Sequence, residues 1–288
     1  MTICPICHSS RVTPFAGLFT PYGNRKAYYQ VYICEDCGHG HASGRLDQDF
    51  LEDIYSDGFH QTSQQEASNS SLPIYINGRA RVAWLVSKGI LGKLLDIGCG
   101  NGAFVEVAGK HFTASGVELS ASAARQAQTK GLDVLEGDFI SIDFGDAAFD
   151  VITLWDVLAS FPDLDAAMTK CVALMKPSGV LVASVPIIGS IAAKILRSRW
   201  PLLIPPVNIH YFDRRSIQAL AAKHGLKVIE ISPMAKKVAL NFLLLKAMRS
   251  LKLFGLAETI AKVAPSWPIS VNTGDIAYVI LQRPTERS

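Results

Sequence analysis

The sequence lacks any apolar run long enough to span a membrane. Its longest stretch without a charged residue, 177–193, is interrupted by a Ser-Gly pair, a proline and a further glycine, which favours a strand followed by a loop over a spanning helix. The chain opens on a cysteine pair and lacks the basic and apolar segments of a secretory signal. We therefore expect a cytoplasmic protein. The 49% apolar content argues against disorder, and 288 residues leave room for one large domain with a small partner.

Acidic residues are scarce in one part of the chain. Residues 188–270 contain thirteen Lys and Arg but only three Asp and Glu, whereas the remainder contains fifteen basic and twenty-two acidic residues. The net charge of +3 hides this asymmetry. Such a distribution indicates either that the late segment meets an anionic partner or that it carries a solvated basic helix face.

Cysteine is also sparse, but four of the six cysteines form two C-x-x-C pairs: Cys4, Cys7, Cys34 and Cys37. Each pair supplies two sulfurs from one tight turn, so the four thiolates together suit tetrahedral zinc. Residues 28–33 are rich in tyrosine and β-branched side chains, which predicts a strand that leads into the second pair. The pattern favours a zinc-ribbon-like module over residues 1–45 that depends on structural Zn²⁺ to fold.

Other interpretations of the cysteines stay open. His8, His39 and His41 lie close enough in sequence to replace one cysteine, although four cysteines already complete the coordination. Disulfides are disfavoured in an intracellular protein, and redox activity is disfavoured because no βαβ pattern surrounds either pair. The remaining two cysteines, Cys99 and Cys171, are predicted to be small core residues.

The rest of the chain is organised around residues 93–104, where a short apolar run precedes a glycine-rich turn and a helix. The turn contains three alternating glycines: Gly98, Gly100 and Gly102. Glu118 follows at the end of a second apolar run, where the ribose-binding acid of a mononucleotide fold belongs. Asp96 occupies the place of a dinucleotide's pyrophosphate, and it would repel that anion but attract a ligand with an ammonium and a sulfonium group.

Strands and helices alternate after this turn. The apolar runs predict strands at 94–97, 113–118, 132–135, 149–154, 180–185 and 275–281. Periodic patterns predict helices at 72–88, 103–110, 121–130 and 163–175. This alternation is typical of an α/β protein with a Rossmann-like parallel sheet, helices on both faces, and a ligand at the carboxyl ends of the strands.

These motifs resemble the core of class I S-adenosylmethionine (SAM) methyltransferases over about residues 74–185. The turn matches their D-x-G-x-G-x-G motif, and residues 174–181 match their L-x-P-G-G-x-L motif with Ser178 in place of the first glycine. The cysteine pairs before such a core are similar to a bacterial branch that carries an N-terminal zinc module, often in sugar, polysaccharide and secondary-metabolite pathways. Residues 208–213, followed by a helix and Gly225, are similar to the H-x-x-F stretch of that branch.

The resemblance implies SAM as cofactor and a set of cofactor-binding residues: Asp96, Gly98, Gly100, Gly102, Glu118, Leu119, Asp138, Phe139 and Trp155. Asp138 would accept a hydrogen bond from the adenine amino group, with Phe139 on the ring. Trp155 and Asp156 would line the methionine side and the acceptor entrance. Tyr75 and Arg79 are candidates for a lid, although a plain packing helix fits them equally well.

The sequence departs from many relatives, including ubiquinone-pathway O-methyltransferases, after the fourth strand. Where those proteins carry Glu-His, this chain has Ala159 and Ser160, so a base or metal site built on that pair is missing. The candidate general bases are His210 first, then Asp156 and Tyr211. A structural role for His210, holding its loop, is the stronger interpretation.

Residues 236–263 resemble an amphipathic helical insertion, within about 234–265, that precedes the last strand. It is expected to pack on the sheet edge, or to form a lid over an anionic or lipid-linked acceptor that rests on a membrane. The predicted organisation is a module at 1–45, linker and lid helices at 46–90, and the methyltransferase domain at 91–288.

We expect methyl transfer to a small-molecule, sugar or glycan acceptor. The alternatives are an RNA methyltransferase with a zinc module and a non-catalytic SAM-binding or interaction protein. RNA is disfavoured because the cysteine module is neutral and the chain lacks interleaved aromatic and basic residues.

Overall fold

The computed structural model describes residues 2–22, 25–44, 73–241, 244, 265 and 267–284. The predicted linker between the cysteine module and residue 73 lies outside these residues. In the described part, every predicted core strand and helix is found. No described helix is both long and apolar enough to cross a membrane.

The N-terminal part folds as an antiparallel sheet of three strands, β1 (Val12–Tyr22), β2 (Arg25–Cys34) and β3 (Gly40–Ser43). The strand predicted at 28–33 lies within β2. A short fourth strand, β9 (His210–Tyr211), comes from the far end of the chain and pairs with β3. The cysteine-bearing part and the remainder of the chain therefore share a sheet.

The central sheet has seven strands: β4 (Gly92–Ile97), β5 (Phe112–Glu118), β6 (Val134–Glu136), β7 (Phe149–Trp155), β8 (Met175–Pro186), β10 (Lys227–Pro233) and β13 (Ile276–Gln282). Their order is β10-β13-β8-β7-β4-β5-β6. The strands from β4 to β8 are parallel, and β13 runs antiparallel to both β8 and β10. The carboxyl ends of β4, β5, β6 and β7 consequently meet at one edge.

Helices cover both faces of this sheet: α1 (Pro73–Ser87), α2 (Ala103–Ala108), α3 (Ala121–Thr129), α4 (Leu164–Leu174), α5 (Ile191–Leu196) and α6 (Arg214–Lys223). Alternate residues of one strand enter opposite cores. On β4, Leu94 packs with α1 and α2, whereas Leu95 and Ile97 pack with α4 and α6. The Rossmann-like arrangement predicted from the sequence is confirmed.

Several helices begin at residues that cap their free N–H groups. Ser120 accepts from Ala123 N at α3, and Asp163 accepts from Ala166 N at α4. Asp213 forms a capping box with Ser216 at α6. These caps fix where each helix leaves the edge that carries the carboxyl ends of the strands.

The predicted helical insertion is wrong at its start. Lys236–Ala239 forms a strand, β11, that pairs antiparallel with β12 (Pro268–Val271). Most of the remainder of the predicted insertion, 242–264 except for residue 244, lies outside the described residues. The local apolar spacing suggested a helix. It could not reveal the strand pairing, because the partner strand lies far away in sequence.

Candidate functional site

The glycine turn after β4 brings backbone close to the end of β5. Gly98 and Cys99 both donate their backbone N–H to the carbonyl of Val117, at 2.8 and 3.1 Å. The three glycines have positive φ angles of 70°, 57° and 78°, which residues with a Cβ rarely adopt. A Cβ on Gly98 would lie 2.5 Å from Val157, but one on Gly100 would meet no described atom within 4 Å. The turn is therefore closed on one side and open at Gly100.

Glu118, at the end of β5, is fixed by backbone donors. One carboxylate oxygen accepts from Gly100 N and the other from Ser120 N, both at 2.8 Å. Glu118 as a whole is only 7% exposed. Leu119, next to it, is 41% exposed and offers an apolar surface at the same edge. This acid and the open glycine are held together by direct hydrogen bonds.

Asp96 lies at the end of β4 and is 2% exposed. Thr153, on the neighbouring strand, donates its hydroxyl to the Asp96 carboxylate at 2.6 Å. Burial raises the pKa of Asp96 to about 7, although the Thr153 hydrogen bond and the charge of Arg81 act in the opposite direction. A cationic ligand at this carboxylate would relieve the cost of its burial.

Arg81, from α1, reaches the same edge, and the sequence did not single it out. Its guanidinium pairs with Asp156 at 2.9 Å, donates to the Tyr278 hydroxyl at 3.3 Å and lies 4.7 Å from the centroid of the Trp155 ring. Within an amphipathic helix, Arg81 looks like any other polar residue, so the sequence carries no signal for its place at this edge. Of the two lid candidates, Tyr75 donates its hydroxyl to Glu106 in the first turn of α2, and Arg79 is exposed; their role as a lid stays a prediction.

Trp155, at the end of β7, is buried between two aromatic rings. It lies 5.4 Å from Phe104 and 5.0 Å from Tyr278, centroid to centroid. Its indole N–H finds no acceptor within the described part of the chain. A buried donor without a partner is costly, and this nitrogen lies below the protein surface.

Asp156 follows Trp155 and has a positive φ of 64°. Ser184 donates to one of its oxygens at 2.9 Å, and the backbone N–H of Asp156 donates back to Ser184 at 2.7 Å. Its side chain is 45% exposed. The left-handed backbone is uncommon for a residue with a side chain, and such strain concentrates at functional sites. Asp156 therefore presents a carboxylate to the solvent side of the edge.

The loop after β6 keeps Asp138 as a candidate for the site but buries Phe139 in the core. Asp138 accepts from Ile140 N at 3.1 Å and from the Ser141 hydroxyl at 2.8 Å. Phe139 is 4% exposed and packs in the core against Phe144 and Phe161. The expectation that Phe139 covers an adenine ring is thus corrected, because its ring faces the opposite side.

Two of the candidate bases, His210 and Tyr211, are buried with their polar atoms bound, which agrees with the structural role preferred for His210. Both ring nitrogens of His210 are occupied, one by His39 at 3.1 Å and the other by the carbonyl of Phe161 at 3.0 Å. Burial lowers the pKa of His210 to about 4. Tyr211 is fully buried and donates to the Asn208 carbonyl at 2.6 Å. Both side chains hold the contact between β9 and the cysteine-bearing sheet.

The four cysteines of the two C-x-x-C pairs meet at one place. Their Sγ atoms lie within 4.8 Å of one another, with Cys4 3.5 Å from Cys37 and Cys7 3.5 Å from Cys34. Tetrahedral zinc with bonds of about 2.3 Å has sulfurs roughly 3.8 Å apart. All six cysteines are free thiols. The donor set fits Zn²⁺, and none of the three nearby histidines belongs to the cluster.

Comparison with known proteins gives the family. A family model described as a methyltransferase domain matches residues 52–231. The chain belongs to this family and is a SAM-dependent methyltransferase.

Curated relatives match at low identity. Ubiquinone biosynthesis O-methyltransferase of Actinobacillus pleuropneumoniae serotype 5b is 29% identical over 167 residues, which cover 52% of this chain and 71% of that protein. The protein of the same name from Coxiella burnetii is 33% identical over 121 residues, which cover 39% of this chain and 52% of that protein.

Solved structures share the fold. Magnesium protoporphyrin IX methyltransferase from Synechocystis PCC 6803 with bound SAH superposes with a TM-score of 0.55 at 14% identity, covering 83% of this chain and all of that one. A SAM-dependent methyltransferase from Archaeoglobus fulgidus gives 0.51 at 17% identity, covering 78% and 100%. At these identities the likeness concerns the fold alone.

Proposed function

We propose that this methyltransferase transfers the methyl group of SAM to a small-molecule acceptor of the sugar or glycan type. The observation that carries the cofactor site is the convergence of Asp96, Gly100 and Glu118 at one sheet edge. The open side of the turn at Gly100 leaves room for the body of SAM, and Glu118 is oriented by two backbone N–H groups so that it can accept from the ribose hydroxyls.

The two ends of SAM find complementary groups. Asp96 carries the charge that attracts the ammonium, and Arg81, close enough to lower the pKa of Asp96, meets the cofactor's carboxylate. Leu119 covers the adenine edge and Asp138 remains the candidate for its amino group. Phe139 contributes only through the core beneath.

The reaction itself needs alignment more than activation. The acceptor atom forms a bond to the methyl carbon as the bond from that carbon to sulfur breaks, and the sulfonium leaves as a neutral thioether. Holding the three atoms in line and excluding water lowers the barrier. For a hydroxyl acceptor, Asp156 is the candidate that takes the proton, because its side chain at the end of β7 is 45% exposed.

A phenolic hydroxyl is the second candidate acceptor, because the curated relatives are named ubiquinone biosynthesis O-methyltransferases. Ala159 and Ser160 occupy the places of the Glu-His pair, and Ala159 is 1% exposed. A base or metal site of that kind is consequently missing, which favours an acceptor that Asp156 alone can serve.

We also propose that Cys4, Cys7, Cys34 and Cys37 hold a structural zinc ion. The support is the Sγ cluster described above and the absence of any disulfide among these cysteines. Metal analysis of purified protein tests this directly. About one zinc per chain is expected, and Cys7→Ser should lose it. Metal-free but folded wild-type protein would contradict the proposal.

The first functional test is calorimetric titration of SAM and its demethylated product into wild type, Asp96→Ala and Asp133→Ala. Asp133 is an exposed acid that directly precedes β6, at the amino end of that three-residue strand, and serves as the matched control. Micromolar binding that is lost only in Asp96→Ala supports the site. Absence of binding to folded wild type would refute it.

The acceptor is tested by transfer of a labelled methyl group. Nucleotide sugars, free glycans, catechols and RNA are offered separately, with wild type, Asp156→Asn and Asp146→Asn. Turnover on a sugar that falls in Asp156→Asn but not in the exposed control supports the proposal. Turnover on catechols alone would select the second candidate, and turnover on RNA would overturn both.

A further inference from the structure

Helix α5 presents an unusual surface to solvent. Ile191 and Ile195 are 76% and 74% exposed, and Leu196 is 41% exposed. Residues four apart lie on one helix face, so the two isoleucines form a continuous apolar ridge. On the opposite side, Ala193 is fully buried with Trp200 and Leu203. The helix therefore has a fixed inner side and a fixed outer side.

Positive charge surrounds this ridge. Lys194, Arg197 and Arg199 are exposed, and the sequence contains no acidic residue between Asp165 and Asp213. Arg197 is partly occupied, because its guanidinium donates to the Phe15 carbonyl at 2.8 Å and lies over the Phe15 ring. Lys194 and Arg199 form no ion pair within the described residues. We call the exposed side chains of 191, 194–197 and 199 the α5 surface.

The α5 surface lies on a rigid base beside the cofactor edge. Only residues 187–190 separate the end of β8 from α5, and β8 carries the Ser184 that binds Asp156. After the helix, Trp200 is 1% exposed and donates its indole N–H to Asp275 at 2.7 Å. The ridge is thus held close to the side of the molecule where the methyl group would be transferred.

We propose that the α5 surface docks the protein on an anionic phospholipid membrane. Exposed aliphatic side chains flanked by Lys and Arg suit the boundary between acyl chains and anionic headgroups. Nucleic acid is a poorer partner because the α5 surface exposes no aromatic ring on which a base would stack. Because α5 follows the carboxyl end of β8 after four residues, docking here would bring that end of the strand near the bilayer, where a lipid-linked acceptor is presented. The proposal concerns a different surface from the segment at 236–263 and does not depend on the acceptor's identity.

The test is co-sedimentation of the full chain with vesicles. Vesicles of phosphatidylcholine and phosphatidylglycerol are compared with phosphatidylcholine alone. Wild type should bind the anionic vesicles, more weakly at high salt, and Ile191→Ser/Ile195→Ser should bind at least about tenfold more weakly. Ile229→Ser, which removes an isoleucine that is 56% exposed on β10, is the matched control and should bind like wild type. Thermal melting and SAM titration verify that each variant is folded.

A second measurement separates insertion from simple charge attraction. Ile195→Trp should shift its emission to shorter wavelength on anionic vesicles and be quenched by brominated acyl chains, whereas Ile229→Trp should do neither. No binding by wild type would overturn the proposal. Vesicle binding that survives the double isoleucine substitution would also overturn it, because another surface would then make the contact. So would an equal loss of RNA binding in the same variant, because it would indicate a surface that binds any polyanion.

Discussion

Two carboxylates at the cofactor edge are held in opposite ways. Glu118 receives two backbone N–H bonds, which fix the orientation of its carboxylate without a ligand. Asp96 is more deeply buried, and its surroundings leave its pKa near 7. The unliganded protein therefore carries an acid whose charge is costly until a cation arrives. Such a group trades stability for affinity.

Asp96→Asn should make the cofactor-free protein more stable at high pH. The unfolded chain has an Asp96 pKa near 3.8 and the folded protein one of about 7, so the folded state holds an extra proton between these values. The stability of the wild-type protein relative to the Asn variant therefore falls as pH rises through that window, and it is lowest above pH 7. We expect a gain on the order of 4 kcal/mol at pH 8, with SAM binding lost.

Urea unfolding from pH 5 to 8 measures this difference, with Asp133→Asn as the control at an exposed position. The control should track wild type across the range. A difference between Asp96→Asn and wild type that does not change with pH would contradict the raised pKa.

Arg81→Met should weaken SAM binding by at least about tenfold, because it removes the cation opposite the cofactor's carboxylate while keeping an apolar stem over Trp155. Arg81 also lowers the pKa of Asp96. Since the ammonium needs an ionised Asp96, affinity in wild type should rise through about pH 7, and the variant should need a higher pH. Calorimetry between pH 6 and 9 tests both effects. Arg214→Met, at an exposed arginine on α6, should leave binding and its pH profile unchanged.

Residue types and spacing predicted which positions reach the sheet edge but not which way their side chains point. Asp96 and Glu118 were found because an acid at the end of a buried strand is conspicuous. Phe139 was assigned to the site from its position after a strand, yet its ring faces the core. His210 was named a candidate base, but its contact with His39 agrees with the structural role that was the stronger interpretation. A shift of one residue moves a side chain to the other face of a strand, and sequence alone does not fix that shift.

The glycine turn is the element on which the cofactor site depends, and its three glycines serve different purposes. Gly98 and Gly102 have no room for a side chain, since added Cβ atoms would lie 2.5 Å from Val157 and 2.4 Å from Leu132. Gly100 has room within the described protein. Its side of the turn is where a ligand lies, according to the proposed function.

Gly100→Ala should therefore lower SAM affinity by at least about tenfold while leaving the fold intact. Gly131→Ala is the matched control, because Gly131 also has a positive φ, 76°, and open space around its Cβ position. Both substitutions should cost about 1 kcal/mol of stability from the left-handed backbone. Unfolding midpoints and SAM titrations separate the two effects. Equal SAM affinities in the two variants would place the ligand elsewhere.

Elements of the core were predictable because buried parallel strands form short apolar runs between helical patterns. Others left no such signal. β1 contains two prolines and a glycine among its eleven residues, which hides its alternation. β11 and β12 are separated by 28 residues, so nothing local identifies their pairing. Helix α5 has six residues, too few for a period of 3.6 to stand out.

Over the whole molecule, the cysteine-bearing sheet and the methyltransferase fold are one packed body in the described residues. β3 pairs with β9, and Cys4, Cys34 and Cys37 lie in the same buried cluster as Phe212, Ile217 and Leu220. His39, just after the second cysteine pair, bonds His210. The sequence predicted a separate module from the cysteine spacing, but it gave no indication of this shared core, because the contacts join residues some 170 positions apart.

Zinc removal should therefore destabilise the entire molecule and not only its first 45 residues. If the cysteines lose their metal, the turns that hold Cys4 and Cys34 loosen and the apolar cluster beneath them opens to water. We expect scanning calorimetry to show one transition whose midpoint falls by several degrees after chelation and recovers with added Zn²⁺. Cys7→Ser should reproduce the shift without chelator. A new, separate transition at low temperature would instead show that the cysteine-bearing sheet unfolds alone, and the shared core would then contribute little to its stability.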